Sequence, residues 1–403
     1  ANEGEPTEAG DPLGTVSIID VSGGAEAATV RTLNFGAFND RRAELIEEGV
    51  LLEPGTPVAR DLEPEYITVL PDGETAWVSL QEANAYAVVD LASGEITDIG
   101  SFGLTDRSEV PLDASNDDGA INLQTYPNLF GMRQPDAIAS YAFEGETYIV
   151  SANEGDARDA TETEVGDVTL DPGAFPNAEL LQRDEALGPL GIRSDLGDTD
   201  GDGDYDELYT YGARSFTILD EAGNVVFDSG AQFSRLIAEI RPDLFNQDEG
   251  EFDGRSDNKG VEPEAVAVGT VDGRPLAFVG LERDDGIFVF DLSNPEDPSY
   301  VSYIDSGASG NISPEVIDFV SAEESADGTA RIFVSYEGDG NTAVYSVSGL
   351  ANPGVVLEAG DGGELLVGGG LSDDITGGAG ADSLFGGTGA DLIAGGDGDE
   401  NIG

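Results

Sequence analysis

The sequence contains neither cysteine nor histidine among its 403 residues. Without cysteine there is no disulfide, no thiolate metal site and no cysteine nucleophile. Without histidine, the Ser-His-Asp triad, histidine-bound zinc and ordinary imidazole acid–base catalysis are excluded. Metal binding and catalysis therefore depend on oxygen ligands and arginine. A chain without disulfides needs another source of stability, such as a bound metal ion.

Positive charge is also scarce, because 17 basic residues face 82 acidic ones and the net charge is −65 at pH 7. Lys259 is the only lysine. Such a surface repels nucleic acid and anionic membranes, so neither is an expected partner. It suits a saline or calcium-rich exterior, where cations screen the repulsion. The hydrophobic content of 39% is sufficient for a core and argues against a disordered acidic chain.

Long apolar runs are missing too. No segment approaches the roughly 18 consecutive apolar residues that indicate a transmembrane helix, and no signal peptide is recognisable at Ala1. The sequence therefore predicts no transmembrane segment.

A nine-residue repeat occupies the last 45 residues, 359–403, which divide into five units. The units 377–385 and 386–394 match the G-G-x-G-x-D-x-U-x pattern of calcium-binding parallel β-rolls. Glycine allows the tight turn, the acid at position six offers a hard oxygen ligand, and the apolar residue at position eight points inward. The predicted calcium ligands are Asp373, Asp382 and Asp391.

These repeats resemble the RTX family, whose members usually leave the cell by one-step secretion with a carboxy-terminal signal. The resemblance implies a secreted protein. Because terminal repeats need capping, we expect further repeats or a secretion signal beyond Gly403. The alternative is a disordered Gly/Asp linker, which the unbroken phase of five units disfavours.

A longer repeat runs through residues 60–350. Its units begin with proline, an acid, one further residue and then Ile or Val, at Pro64, Pro135, Pro263 and Pro314. Each unit continues as a strand, a turn and a second strand rich in β-branched and aromatic residues. Repeated units of this kind with little helix predict an all-β chain that forms a β-propeller.

Insertions interrupt the repeat. Residues 36–60 carry a short helix predicted over 40–48, and a helical stretch is predicted near 233–240. Residues 157–208 form a long acidic excursion from the second complete blade. The predicted organisation is a propeller over 1–350, a linker over 351–358 and a β-roll over 359–403. Because Ala1 begins partway through a blade, we expect the first blades to precede it.

The long insertion contains a second calcium signal, formed by five alternating aspartates: Asp198, Asp200, Asp202, Asp204 and Asp206. With Asp198 as position one, Gly203 falls at position six, as in the first half of an EF-hand loop. Position twelve is Tyr209 instead of the bidentate glutamate, so a ligand must come from elsewhere. Without a cation these carboxylates would repel one another strongly. A solvated acidic loop is the alternative to the predicted calcium site.

Acidic residues recur at equivalent places in the blades. Strand starts carry Glu65, Asp136, Glu264 and Glu315, and the acidic turns carry Glu82, Glu154, Glu282 and Glu337, with Glu3 matching the second group. In a propeller such positions form rings. The acids either line the channel and hold a cation, or bond backbone amides at strand ends. Arg158, Arg214 and Arg283 lie near the acidic turns and either pair with them or bind an anionic group.

Together, these features resemble the choice-of-anchor I family of secreted bacterial propellers, some of which are named alkaline-phosphatase-like. The resemblance covers nearly all of 1–348 and is carried by segments 1–6, 61–66, 134–140, 152–159, 197–207 and 259–264. It implies a ring of about seven blades, of which about two would precede Ala1. The family has no common activity, so the resemblance bears on fold more than on function.

Two functions are compatible with the sequence. The favoured one is a secreted, calcium-binding extracellular propeller that acts as a binding or surface-structural module, with matrix components, cell-surface components or copies of itself as partners. The alternative is a calcium-dependent phosphoesterase, in which carboxylates hold calcium and arginine holds phosphate. Its predicted site residues are Glu65, Asp136, Glu154, Glu264, Glu282, Arg158 and Arg283.

Overall fold

Antiparallel hairpins follow each of the four repeated prolines in the computed structural model of the chain. Pro64, Pro263 and Pro314 are themselves the first residues of strands, and Ile138 begins a strand shortly after Pro135. Proline suits the first position of a strand because it has no N–H to give to a neighbouring strand. The predicted all-β class is confirmed, with 41% strand and 11% helix.

The structure describes the following residues: 1–4, 12–158, 161–347, 356–359, 365–368, 373–387, 391–396, 398 and 401–402. Most of the predicted linker, residues 351–355, lies outside the described residues. The end of that predicted linker, Val356–Glu358, forms a strand. The chain divides into two units, Ala1–Ala231 with Asp253–Glu262 and Gln232–Phe252 with Pro263–Gly403.

The strands of the first unit are β1 (Thr15–Asp20), β2 (Thr29–Asn34), β3 (Pro64–Val69), β4 (Thr75–Leu80), β5 (Ala85–Asp90), β6 (Glu95–Ser101), β7 (Leu104–Asp106), β8 (Leu129–Met132), β9 (Ile138–Phe143), β10 (Glu146–Asn153), β11 (Glu162–Glu164), β12 (Gly191–Arg193), β13 (Leu208–Thr210), β14 (Ser215–Asp220) and β15 (Val225–Asp228). Its α-helices are α1 (Arg42–Glu47), α2 (Val58–Asp61) and α3 (Ala178–Leu181), and its 3-10 helices are Ala25–Ala27, Phe35–Arg41 and Val165–Asp167. The helix predicted over 40–48 is confirmed as α1 and the 3-10 turn before it.

Two four-stranded antiparallel sheets form the centre of the first unit. Sheet I has the order β3-β4-β5-β6, and sheet II has the order β9-β10-β14-β15. Their first strands lie side by side and are joined by two hydrogen bonds. Thr68 Oγ1 donates to Ser140 Oγ at 3.0 Å, and Ser140 Oγ donates to the Val69 carbonyl at 2.9 Å. Buried aromatic residues pack between the sheets, among them Trp77 and Tyr86, whose rings stack at 3.8 Å.

The predicted excursion over 157–208 is more ordered than the sequence indicates. It supplies β11 and β12 and ends where β13 begins, and these three strands join β7 and β8 in a five-stranded sheet. This sheet has a hydrophobic core of its own, which includes Leu129, Phe175 and Ile192. Strands of three or four residues are too short to show an alternating pattern, and so the sequence reasoning missed them.

The segment Asp253–Glu262 is tied into the first unit by a buried arginine. Arg214 is 3% exposed, and its guanidinium donates to the carbonyl oxygens of Asp113 at 2.7 Å, Ser256 at 2.8 Å and Asn258 at 2.7 Å. Burial lowers the pKa of Arg214 to about 10, so the side chain keeps its charge at neutral pH. This arginine therefore joins two loops and does not face an open anion site.

The second unit contains the strands β16 (Pro263–Val271), β17 (Arg274–Leu281), β18 (Gly286–Asp291), β19 (Ser299–Asp305), β20 (Pro314–Val320), β21 (Ala330–Tyr336), β22 (Asn341–Val347), β23 (Val356–Glu358), β24 (Leu365–Val367), β25 (Asp374–Thr376), β26 (Ser383–Phe385), β27 (Leu392–Ala394) and β28 (Asn401–Ile402). Its helices are α4 (Gln232–Ile240) and the 3-10 turns Pro242–Leu244 and Gly307–Ser309. The helical prediction near 233–240 is confirmed by α4.

Sheet III, with the order β16-β17-β18-β19, and sheet IV, with the order β20-β21-β22, repeat the arrangement of sheets I and II. Phe278 and Phe319 stack with ring centroids 5.9 Å apart, which brings the two sheets into contact. Gly269 is required beside them, because a Cβ at that position would overlap the Phe319 ring.

The last six strands begin at nine-residue intervals and alternate between two parallel sheets, β23-β25-β27 and β24-β26-β28. Of the position-eight residues, Ile375 and Leu384 are buried as the repeat pattern predicts, whereas Leu366 and Ile393 are half-buried and Ile402 is exposed. No helix in the described part of the chain is long and apolar enough to cross a membrane.

We expect Arg214→Met to lower the free energy of unfolding by about 3 kcal/mol, because three buried carbonyl oxygens would lose their donor. Urea denaturation at fixed calcium concentration measures this loss. The control is Arg183→Met, which alters an exposed side chain and is expected to change stability little. Equal stabilities of the two variants would contradict the structural role of Arg214.

Candidate functional site

The two blade-start acids of the first unit lie within an acidic cluster. Glu65, on β3, has its pKa raised to about 8 by burial and by the nearby charges of Glu82, Glu3, Asp136 and Asp156. The structure therefore brings the predicted residues Glu65 and Asp136 close enough to influence each other. Because these carboxylates repel one another, a proton or a bound cation would stabilise the cluster.

Glu63 belongs to the same cluster and was missed by the sequence reasoning. It directly precedes the repeated proline, as Glu262 does before Pro263. The other two prolines follow Gln134 and Ser313, so the repeat does not mark this position as acidic. Oxygen atoms of Glu3, Glu63 and Glu82 all lie within 4.8 Å of one another. Burial and the charge of Glu82 raise the pKa of Glu63 to about 9. We refer to Glu3, Glu63 and Glu82 as the tri-glutamate cluster.

Arg158 lies beside this cluster, but its closest partner is Asp61. The guanidinium donates to Asp61 Oδ1 at 2.6 Å and to the Asp61 carbonyl at 2.7 Å, and it is 3.6 Å from Glu63 Oε1. Burial alone would lower the pKa of Arg158, but these carboxylates raise it. Arg158 therefore pairs with a carboxylate of the protein in this structure, which is the first of the two roles expected from the sequence; the second was binding an anionic group.

Glu154 is held in a separate buried network with the only lysine. Lys259 Nζ lies 2.5 Å from Glu154 Oε1 and 3.3 Å from Glu262 Oε2, and Gln81 Nε2 donates to Glu154 Oε2 at 2.9 Å. Burial raises the pKa of Glu154, and Lys259 opposes that rise. Both Glu154 oxygens therefore have a partner from the protein.

The remaining predicted residues of the alternative site lie in the second unit. Glu264 is on β16 and Glu282 directly follows β17, at the same end of two paired strands. Arg283 Nη2 is 3.3 Å from Glu282 Oε1, and Arg283 Nη1 is 3.9 Å from Asp248 Oδ1. Arg283 thus carries ion pairs with carboxylates of its own unit.

The aspartate loop of the insertion, residues 198–206, folds back on itself through its own carboxylates. Asp198 accepts hydrogen bonds from the backbone N–H groups of Gly201 at 2.7 Å and Gly203 at 3.1 Å. Asp206 Oδ2 accepts from Thr199 N at 2.9 Å and Thr199 Oγ1 at 2.6 Å. Gly203 has a φ of 101°, which explains why glycine is needed at the sharp turn.

Two clusters of three aspartates meet at this loop, and Asp206 belongs to both. Asp198, Asp200 and Asp206 have oxygens within 4.8 Å of one another, and so do Asp171, Asp204 and Asp206. Asp171 comes from outside the loop, where its N–H donates to the Tyr205 carbonyl at 3.0 Å. It is suited to be the missing ligand, although nothing in the local sequence identified it. Asp202 belongs to neither group.

Repulsion within the loop raises the pKa values of two of its aspartates. The pKa of Asp204 rises to about 6 through loss of solvation and the neighbouring Asp202, Asp171 and Asp206. The pKa of Asp200 is raised mainly by the charge of Asp202. A divalent cation would relieve this repulsion, and the all-oxygen donor set is the one that calcium prefers.

The predicted ligands of the nine-residue repeat lie beside the glycine turns. Asp373 and Asp382 are buried. Asp373 Oδ2 and the Gly386 carbonyl oxygen both lie against Gly368, where a Cβ would overlap them. The backbone N–H of Asp373 donates to Asp391 Oδ1 at 2.8 Å.

The same arrangement recurs one unit later. Asp382 Oδ2 and the Gly395 carbonyl oxygen lie against Gly377, and Asp382 Oδ2 accepts from Gly378 N at 3.0 Å. Carboxylate and carbonyl oxygens thus converge at successive turns. No lysine or arginine follows Arg331 in the sequence. The repeats themselves therefore contain no basic side chain that could pair with these aspartates. This donor set also fits calcium.

Comparison with known proteins gives matches over most of the chain. The model of the choice-of-anchor I domain matches residues 1–295. The mesenchyme-specific cell surface glycoprotein of Strongylocentrotus purpuratus is 31% identical over 301 residues, which cover 64% of this chain and 39% of that protein. Gigasin-3a of Magallana gigas is 28% identical over 196 residues, which cover 43% of this chain and 69% of that protein.

Among solved structures, the Cps50 (Swd1) β-propeller domain of Myceliophteria thermophila aligns with 82% of this chain and 63% of its own, at 10% identity and a TM-score of 0.33. The sequence matches are more informative, and the chain spans only 39% of the length of the sea-urchin glycoprotein. The domain match covers residues 1–295, from β1 through β18. The chain therefore belongs to the choice-of-anchor I domain family.

Proposed function

We propose that this protein is a calcium-loaded extracellular module that binds a surface component or forms part of the cell surface. The observation that carries the proposal is the convergence of Asp198, Asp200 and Asp206 in the insertion loop, with Asp171 completing a second group. The similarity to a cell surface glycoprotein of the sea urchin supports the location. The low number of basic residues makes a nucleic acid or anionic lipid partner unfavourable.

The proposed architecture is a β-propeller followed by an RTX-type β-roll. Sheets I to IV are antiparallel and mostly four-stranded, as propeller blades are. The alternating parallel sheets at nine-residue spacing support the β-roll. In this architecture the insertion loop and the turns of the roll each hold calcium through oxygen ligands. Calcium would then stabilise the folded chain by binding it in preference to the unfolded chain.

We expect Asp206→Asn to reduce the stabilisation of the protein by calcium, because Asp206 belongs to both aspartate clusters of the loop. If free calcium is near 100 times the dissociation constant, loss of this site removes about 2.7 kcal/mol. Thermal unfolding with and without calcium measures the difference. Asp184→Asn, a change at an exposed side chain, is the control. An unchanged calcium effect in Asp206→Asn would contradict the loop site.

In the repeats, we expect calcium to protect the backbone amides of residues 365–402 from hydrogen exchange, because ligation of Asp382 fixes successive turns. Asp382→Asn should weaken that protection, whereas Asp318→Asn, an exposed acid of sheet IV, should not. Hydrogen exchange followed by mass spectrometry resolves this segment from the blades. Equal exchange with and without calcium in the parent protein would be evidence against calcium in the roll.

The phosphoesterase stays a prediction from the sequence, and the geometry disfavours it. Arg158 is bound to Asp61, and Glu154 is bound to Lys259. We therefore expect no phosphomonoester hydrolysis by the calcium-loaded protein, measured beside a known phosphatase as a positive control. Turnover that disappears on chelation, returns with calcium and is abolished by Glu264→Gln would support the alternative instead.

A further inference from the structure

The tri-glutamate cluster assembles from three separate parts of the first unit. Glu3 precedes β1, Glu63 precedes β3, and Glu82 lies in the turn between β4 and β5. Their oxygens approach within 4.8 Å although the residues are far apart in sequence.

Backbone contacts hold the three carboxylates in place. Asn2 pairs with Thr15 through two backbone hydrogen bonds of 2.9 Å, which positions the segment that carries Glu3. Gly14 permits this segment to lie against the loop before β3, since a Cβ there would overlap the Leu62 carbonyl oxygen. The carboxylates therefore meet because the backbone brings them together.

The turn that carries Glu82 is also fixed. Asn84 is fully buried with a φ of 49°. Its Oδ1 accepts from Gln134 N at 2.8 Å, and its Nδ2 donates to the Gly103 carbonyl at 2.8 Å. Because the loops that contain Gln134 and Gly103 hold the turn at both of these bonds, the backbone beside Glu82 has little freedom to move.

Glu82 supplies the observation that points to a ligand. Its side chain is directed into the cluster, the residue is only 6% exposed, and no hydrogen-bond partner reaches Glu82 Oε2 from the described residues. The neighbouring group is the carboxyl of Glu63, another acid that is 4% exposed. A buried carboxylate oxygen without a donor is costly, and a cation would satisfy it.

Arg158 lies near enough to attract Glu63 and Glu82, but it makes no hydrogen bond to Glu82 Oε2. Arg158 makes its short contacts with Asp61 and lies 3.6 Å from Glu63. Its positive charge is shared with Asp61 and, at 3.7 Å, with Glu53. Three carboxyl groups thus face one arginine whose charge is divided among several acids.

We propose that Glu3, Glu63 and Glu82 bind a calcium ion that joins the segment before β1 to sheet I. Oxygen ligands without nitrogen or sulfur favour a hard cation, and calcium accepts several carboxylates in flexible geometry. The site is independent of the insertion loop and of the nine-residue repeats, because it shares no residue with either. Backbone carbonyls or water complete the coordination.

Equilibrium dialysis of the full chain tests the proposal at about 1 mM free calcium, the range of extracellular calcium modules. Glu82→Gln and Glu63→Gln should each bind one calcium ion fewer per chain than the parent. Glu337→Gln is the matched control, because Glu337 occupies the equivalent acidic turn after β21 but is exposed. It should bind as many ions as the parent. Circular dichroism establishes that each variant is folded.

A crystal structure with calcium provides the second measurement. We expect an anomalous difference peak about 2.4 Å from oxygens of Glu63 and Glu82. The proposal is overturned if both folded variants bind as many ions as the parent, or if the map shows no ion and the two carboxyls share a proton. Should one variant fail to fold, the other variant and the map still decide the question.

Discussion

The cost of removing carboxylates from water is the constraint on which the arrangement of this chain depends. With 82 acidic residues and 17 basic ones, few basic side chains are available to pair with a buried acid. The first unit pairs some of its basic side chains with buried acids, Lys259 with Glu154 and Glu262 and Arg158 with Asp61. Removing one partner would leave an uncompensated charge inside the protein, so these pairs hold loops and strand ends in place.

Calcium offers a second way to meet the same constraint where basic side chains are missing. In the insertion loop, loss of solvation and the neighbouring aspartates raise the pKa of Asp204. The charge of Asp202 raises the pKa of Asp200. In the nine-residue repeats, buried aspartates lie beside backbone carbonyl oxygens. The proposed calcium sites share one physical basis, since each joins carboxylates that would otherwise repel one another. Under this proposal, stability would depend on the calcium concentration around the protein.

This dependence suits a module that works outside the cell. The described strands form sheets with extensive antiparallel pairing, and the acidic groups concentrate in the turns and loops between them. Sheets supply a rigid scaffold, whereas loops carry binding functions in most folds. Among the side chains that the sequence suggested for catalysis, Arg158 and Glu154 are engaged in ion pairs in the first unit, and Arg283 is engaged in one in the second. Binding and structural support are therefore the roles that the geometry favours.

Local patterns in the sequence determined much of this protein. The proline-led repeats predicted the starts of sheets I, III and IV, and the nine-residue period predicted the spacing of the last strands, because both signals repeat within a few residues. The tertiary structure alone decided that Asp171 joins the aspartate loop, that Glu63 meets Glu82, and that Lys259 bridges two glutamates. Those contacts join residues distant in sequence, and their energies depend on burial, which no local pattern specifies.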